Sequence, residues 1–227
     1  MLHFLNSNRS CFLLGNTAPD VQTISGQSRQ VTHFFDLPIR SNDLNPWDIF
    51  LLRHPVFARL DKMTENHAAF ILGYLCHLQA DWLWMKEIFL PFFSLKTGWF
   101  TLPNRIYLHN GLRAYLDFQI HPTLPDDLGT VLEASIPDHW LPFVEDRYLV
   151  QWRDLLSHQL YPGASIKTVE VFATRQGVPP EQYYNLIQSE ERLEAEIFDR
   201  LPRQKLQFFR QQLLEANMKL LTQLACV

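Results

Sequence analysis

Cysteine and charged residues are both scarce in this chain of 227 residues. The three cysteines, Cys11, Cys76 and Cys226, are widely separated and form no Cys-x-x-Cys pair, which argues against a disulfide framework and against a cysteine-rich zinc site. Charged residues make up 19% and the formal net charge is -4. No basic stripe is therefore expected that could neutralise phosphates, and we expect no sequence-specific binding of nucleic acid.

Long apolar runs are also missing. The uninterrupted apolar stretch at 68–76 is too short for a bilayer, which needs about 20 residues. Residues 1–10 do not place a basic segment before a long apolar one, as a secretory signal would. We therefore expect no transmembrane segment and a cytoplasmic protein. Serine-hydrolase, P-loop and dinucleotide-binding motifs are absent as well.

Apolar residues make up 47% and aromatic residues 13%, which is typical of a globular protein with a large core. Apolar residues recur at helical spacing, and alternating strand patterns are scarce. The sequence predicts an all-α fold: a single multi-helix core domain at 1–180, with a C-terminal helical hairpin at 181–227 packed on it. Helices are expected at about 4–14, 46–60, 65–90, 104–120, 141–160 and 169–176. The second is interrupted near Pro55, an ordered loop is expected at 15–38, and the path stops at Pro91 and breaks near Pro202.

One histidine and one aspartate interrupt the most apolar of these helices. His77 and Asp81 are four residues apart, so a helix places them on one face. Burying a carboxylate is costly unless a positive charge lies beside it. A zinc ion would supply that charge, and it binds both imidazole nitrogen and carboxylate oxygen. The alternative is a buried His–Asp hydrogen bond. The same spacing occurs in reverse order among polar residues, where surface ion pairs explain it, at Asp117 with His121 and at Asp154 with His158.

Two further residues add to this pair. Asp20 ends the turn G-N-x-A-P-D that begins at Gly15, and His33 precedes Phe34 and Phe35. Taken alone, Asp20 is typical of a turn residue and His33 of a packed ring. The order G-N-x-A-P-D, then H-F, then F-x-x-G-Y-x-x-H-x-x-x-D-W over roughly 13–93 resembles the zinc-dependent phospholipase C family, which is related to the fungal single-strand-specific zinc nucleases.

The resemblance implies an all-α fold and a zinc cluster that hydrolyses phosphodiester bonds. It implies that Asp20, His33, His77 and Asp81 are the ligands of one zinc ion, with Asp81 able to bridge to a second. It also implies that Asp20 helps to orient or deprotonate the attacking water.

The chain departs from the family pattern in several places. Nothing before Asp20 matches the family's N-terminal zinc ligands, and Glu87 stands where the family has a further histidine. We include Glu87 among the candidate metal ligands. Where the family has a later H-x-x-x-E motif, this chain has His109 and, four residues on, Arg113 instead of glutamate. We therefore expect one or two zinc ions rather than three.

His109, Arg113 and Asp117 share a helix face. In a functional interpretation Arg113 holds a phosphate oxygen, and His109 ligates metal or donates a proton. In a structural interpretation the three form an ion-paired face that covers a neighbouring helix.

The sequence thus predicts a zinc-dependent phosphodiester hydrolase acting on a phosphodiester or phospholipid substrate. Two alternatives remain open. One is a non-catalytic helical protein that keeps a structural metal or a metal-free polar cluster. The other is an interaction module that uses the C-terminal hairpin as its partner surface.

Overall fold

The computed structural model describes residues 1–37, 39, 43–94, 97 and 101–225. All regular secondary structure in these residues is helical, which confirms the predicted all-α class. The α-helices, in chain order, are α1 (Leu2–Ser7), α2 (Arg9–Thr17), α3 (Gln22–Ser25), α4 (Arg29–His33), α5 (Pro46–Arg53), α6 (Glu65–Trp84), α7 (Leu90–Phe93), α8 (Leu102–Ile120), α9 (Leu128–Glu133), α10 (Asp146–Leu160), α11 (Thr168–Gln176), α12 (Pro180–Ile187), α13 (Glu190–Leu193) and α14 (Arg203–Ala225).

Shorter helical turns connect several of these elements. They are 3-10 turns at Ala18–Val21, Pro55–Ala58, Leu60–Lys62 and His121–Thr123, and π-helical turns at Met85–Phe89 and Glu194–Phe198. None of the helices among the described residues has the length and apolar character needed to cross a membrane.

Spatial contacts divide the chain into two compact units. Unit 1 contains the described parts of Met1–Leu83, Asp127–His158 and Gln212–Val227, and unit 2 those of Trp84–Asp126 and Gln159–Gln211. This division follows contacts rather than chain order, whereas we predicted a core at 1–180 and a hairpin at 181–227. That domain prediction stays a prediction; Cys226 lies outside the described residues.

Helix α6 is the buried helix of unit 1. Its apolar residues surround it on most sides, and Phe70, Ile71, Tyr74 and Leu78 are fully inaccessible to solvent. This agrees with the sequence prediction that the helix carrying His77 is apolar on most sides. Polar side chains in the middle of α6 therefore lie in a largely desolvated setting, where each needs a partner.

Two glycines let α2 approach α6 closely. A Cβ atom on Gly15 of α2 would overlap the carbonyl oxygen of Phe70, and a Cβ on Gly73 of α6 would overlap the carbonyl oxygen of Phe12. The atoms met are backbone atoms, which cannot rotate aside. The backbones of the two helices are thus in direct contact, and residues just after Gly15 are brought beside the middle of α6.

A small core joins α1, α6 and the end of α14 within unit 1. Its members are Leu5, Leu72, Cys76 and Leu221, all nearly inaccessible to solvent. Burial raises the pKa of the Cys76 thiol to about 12, which fits the predicted role of Cys76 as a small core residue. In unit 2 the helices α8, α11 and α12 share another core, formed by Ala114, Val169, Phe172, Ala173, Tyr183 and Ile187.

Three predicted boundaries were wrong. The helix expected at 4–14 is broken at Asn8, whose side-chain amide donates to the carbonyl of Phe4 at 3.0 Å. Pro91 does not end the helical path, because a π-helical turn precedes it and the proline lies in the first turn of α7, where its missing N–H is not needed. The helix expected from residue 141 begins at Asp146.

The segment expected to be an ordered loop, 15–38, instead contains the end of α2 and the helices α3 and α4. Each of these helices has only four or five residues. Helices this short give no periodic apolar pattern, which explains why the sequence did not reveal them. Pro38 lies outside the described residues.

We expect Gly73→Ala to destabilise the protein by about 2 kcal/mol or more, because the added methyl group forces α2 and α6 apart. Gly111→Ala is the matched control: it also lies within a helix, but its methyl group would meet the Leu186 side chain, which can rotate. Urea denaturation measures both. Equal midpoints for the two variants would contradict the close approach.

Candidate metal centre

Three of the predicted ligands meet in unit 1. Asp20, His33 and His77 each present one ligand atom, and these three atoms all lie within 4.8 Å of one another. The Nε2 atom of His33 is 3.5 Å from Oδ1 of Asp20, and Nε2 of His77 is 4.0 Å from Oδ2 of Asp20. Residues from the 3-10 turn after α2, from α4 and from α6 are therefore brought to one point.

Asp81 borders this group from the next turn of α6. Its Oδ2 atom lies 3.4 Å from Nε2 of His33 and 3.8 Å from Nε2 of His77. Both imidazoles thus direct Nε2 towards two carboxylates. The rings of His33 and His77 meet edge to face, with centroids 5.4 Å apart.

The close approach of α2 to α6 orients His77. The backbone carbonyl of Asn16, the residue after Gly15, lies 2.7 Å from Nδ1 of His77. A carbonyl accepts only, so Nδ1 carries a proton, and in the neutral ring Nε2 bears the lone pair. That Nε2 atom is buried and has no hydrogen-bond partner among the described residues. A buried imidazole lone pair without a donor is the kind of group that a metal ion satisfies.

His33 is oriented by its own chain neighbour. The ring is fully buried, and Nδ1 lies 3.0 Å from the hydroxyl oxygen of Thr32. The Thr32 carbonyl in turn accepts a hydrogen bond from the Tyr74 hydroxyl of α6. Burial lowers the pKa of the His33 imidazole below its ordinary value, which the nearby Asp20 only partly offsets. His33 is therefore neutral at pH 7, as a metal ligand must be.

The chain turns sharply directly after His33. Phe34 has a φ of 60°, a left-handed conformation that is unfavourable for a bulky residue, and it ends α4. Its ring is buried edge to face against Phe50 and Phe143, with centroids 5.2 and 5.4 Å away. Aromatic packing thus holds a backbone strain next to a candidate ligand, as is common at functional sites.

Arg29 completes the cluster, and sequence reasoning missed it. Its Nη1 atom lies 2.9 Å from Nε2 of His33, and its Nη2 atom donates to Oδ2 of Asp81. Nη1 is also 4.0 Å from Oδ1 of Asp20. Because a guanidinium only donates, His33 accepts at Nε2 and donates from Nδ1 to Thr32. The available signal was the four-residue spacing from Arg29 to His33, which places both on one face of α4.

Arg29 also affects the acidity of Asp81. Burial raises the pKa of this carboxyl, but the His77 ring and the Arg29 guanidinium lower it by more, so the pKa lies below its ordinary value. Asp81 is therefore ionised at neutral pH, and its charge is balanced within the cluster.

The donor set fits zinc. Ligand atoms around a tetrahedral zinc ion, each at about 2.0–2.2 Å, lie roughly 3.3–3.6 Å from one another. The distances from His33 Nε2 to Asp20 and to Asp81, 3.5 and 3.4 Å, have this size, whereas those from His77 Nε2 to the same two carboxylates, 4.0 and 3.8 Å, are longer. Two imidazoles and two carboxylates are ligands that zinc accepts.

The other three candidates belong to unit 2. Glu87 lies in the π-helical turn and pairs with Lys205, whose Nζ is 2.7 Å from Oε2. His109 is buried, and its Nε2 accepts a hydrogen bond from the Trp84 indole at 2.8 Å.

Arg113 lies over the ring of Phe172, with Cζ 4.8 Å from the centroid. Burial raises the pKa of its neighbour Asp117, and the nearby Thr168 hydroxyl and Arg113 lower it by less. The roles proposed for Glu87, His109 and Arg113 in metal binding or catalysis stay predictions.

Comparisons with known proteins add no relative to this picture. No protein-family model, no curated protein and no solved structure matches the chain.

We expect Tyr74→Phe to lower the free energy of unfolding by about 1–2 kcal/mol, because the buried Thr32 carbonyl loses its donor. It should also weaken zinc binding, since Thr32 orients His33. Tyr148→Phe is the matched control, because its hydroxyl accepts only an exposed hydrogen bond from Arg147. Urea denaturation and a zinc titration measure the two effects; an unchanged stability would contradict the role of Tyr74.

Proposed function

We propose that this protein is a zinc-dependent phosphodiester hydrolase whose zinc is held by Asp20, His33 and His77, with Asp81 beside them. The observation that carries the proposal is the buried Nε2 atom of His77, which lies near two carboxylates and has no hydrogen-bond partner within the described part of the chain. A hydrogen-bonded polar cluster without metal would leave this lone pair unsatisfied, at a cost of about 1–3 kcal/mol.

The number of converging ligands favours a catalytic over a structural site. A structural zinc is closed by four protein ligands, whereas a catalytic one keeps a position for water or substrate. Three ligand atoms, from Asp20, His33 and His77, converge within 4.8 Å here, and Asp81 borders them without belonging to the group. The side chains of Asp20 and Asp81 are 35% and 31% exposed, so solvent and substrate reach this edge of the cluster.

A zinc ion, when bound, supplies Lewis acidity and a water molecule whose pKa is lowered towards neutrality. The chain's own residues prepare the site for it. Asn16 and Thr32 fix the tautomers of His77 and His33, so both Nε2 lone pairs face inwards. Asp20, the more exposed carboxylate, orients the attacking water and accepts its proton.

The substrate class within this proposal is a phosphodiester, including the phospholipid headgroup linkage. Two observations limit the metal count that we propose to one. Glu87, the candidate ligand beyond Asp81, is paired with Lys205, and the Nε2 atom of His109 is engaged by Trp84.

Metal content tests the proposal directly. We expect about one zinc per chain by mass spectrometry when the protein is purified without chelator, and loss of that zinc in the double variant His77→Ala, Asp81→Ala. Asp117→Asn with His121→Ala is the matched control, because it removes the same residue types at the same spacing from the end of α8 and the 3-10 turn that follows it. We expect the zinc-loaded protein to hydrolyse bis(4-nitrophenyl) phosphate and the double variant to be inactive.

Two results would contradict the proposal in different ways. A well-folded wild-type protein without zinc after incubation with the metal would exclude the metal site. Zinc bound at full occupancy without hydrolysis of any phosphodiester, including phospholipids, would favour the structural-metal alternative.

A further inference from the structure

Arg29 occupies the same donor atoms that a metal ion at this site needs. Its Nη1 faces Nε2 of His33 at 2.9 Å, and its Nη2 donates to Oδ2 of Asp81. The Nδ1 atom of His33 is engaged with Thr32 at 3.0 Å, so Nε2 is the only nitrogen that this ring has for a metal. One imidazole lone pair cannot accept an arginine N–H and coordinate a metal at the same time.

We propose that Arg29 competes with the metal for His33 and becomes the anion-binding residue of the site once the metal is bound. The inference rests on the proposed zinc site. Metal binding to His33 releases an Nη1 donor of Arg29, and this donor then lies next to the metal in a partly desolvated setting. Arginine in such a position binds a non-bridging phosphoryl oxygen.

The charges of the site support this role. The cluster holds two carboxylates, those of Asp20 and Asp81, whose combined formal charge matches that of a divalent cation. With the metal bound, the permanent positive charge of Arg29 would then leave the site with a single net positive charge. A single surplus positive charge matches a phosphodiester, which carries one negative charge, better than a dianionic phosphate monoester.

Neighbouring side chains hold the Arg29 guanidinium in place, and part of it stays accessible to solvent. Its side chain is 33% exposed, and its guanidinium lies 5.3 Å from the centre of the Phe35 ring. The stacking on Phe35 and the pairing with Asp81 keep the guanidinium at the edge of the site, so it does not have to leave when His33 is released.

The decisive test measures two affinities in the same variant. In Arg29→Gln we expect zinc to bind about tenfold tighter or more, measured by competition with a chromophoric chelator, because the competing cation is gone. We expect dimethyl phosphate, a slowly hydrolysed diester, to bind the zinc-loaded variant about tenfold more weakly in a phosphorus NMR titration. A merely structural role would weaken both affinities together.

Arg53→Gln is the matched control. It removes a positive charge that lies 5.7 Å from the ring of Phe34, next to His33 in the chain, without touching a ligand. We expect both affinities to stay within about twofold of wild type. Arg29→Lys keeps the charge but not the fork, and should change both affinities in the same directions by smaller factors; it serves as the test variant if Arg29→Gln does not fold.

The outcomes separate the two proposals. Zinc binding to the wild type with an unchanged or weaker affinity in Arg29→Gln overturns the competition. Tighter zinc binding with unchanged affinity for dimethyl phosphate overturns the role in anion binding. If neither protein binds zinc, the proposed function fails, and the inference about Arg29 fails with it.

Discussion

The direct contact between α2 and α6 is the constraint on which the candidate site depends. Gly15 and Gly73 let the two backbones meet, and this contact brings the Asn16 carbonyl to Nδ1 of His77. The 3-10 turn that carries Asp20 follows directly after α2, so the same contact sets the position of that carboxylate. A larger residue at either glycine would alter the packing and the site together.

Charge balance is the second requirement of the site. Asp20 and Asp81 bring two carboxylates to one point beside the apolar helix α6, where each lies within 4.0 Å of Nε2 of His33 and of His77. Arg29 supplies the positive charge within the protein. A buried or half-buried carboxylate without such a partner would be costly, so the arginine explains how the cluster is compatible with a stable fold.

The sequence revealed the long elements and the spacing of the site but not its electrostatics. The apolar pattern of α6 predicted a buried helix, and the four-residue spacing of His77 and Asp81 predicted that both face one point. Helices α3 and α4 were missed because four or five residues carry no period. Arg29 was missed for the same reason: its spacing to His33 has meaning only once that segment is known to be helical. The predicted helix end at Pro91 was wrong because a π-helical turn precedes this proline and places it in the first turn of α7.

The candidate ligands are already oriented in the structure without metal, so binding a metal would require little further ordering of their side chains. The tautomers of His33 and His77 are fixed by Thr32 and by the Asn16 carbonyl, and the Phe34 turn is locked by aromatic packing. Little ordering is therefore left for the metal to impose. The remaining cost is the exchange of the arginine contact at His33 for a metal bond. If the proposed metal binds here, its affinity would depend less on the flexibility of the loops than on Arg29, the cation that the chain itself supplies.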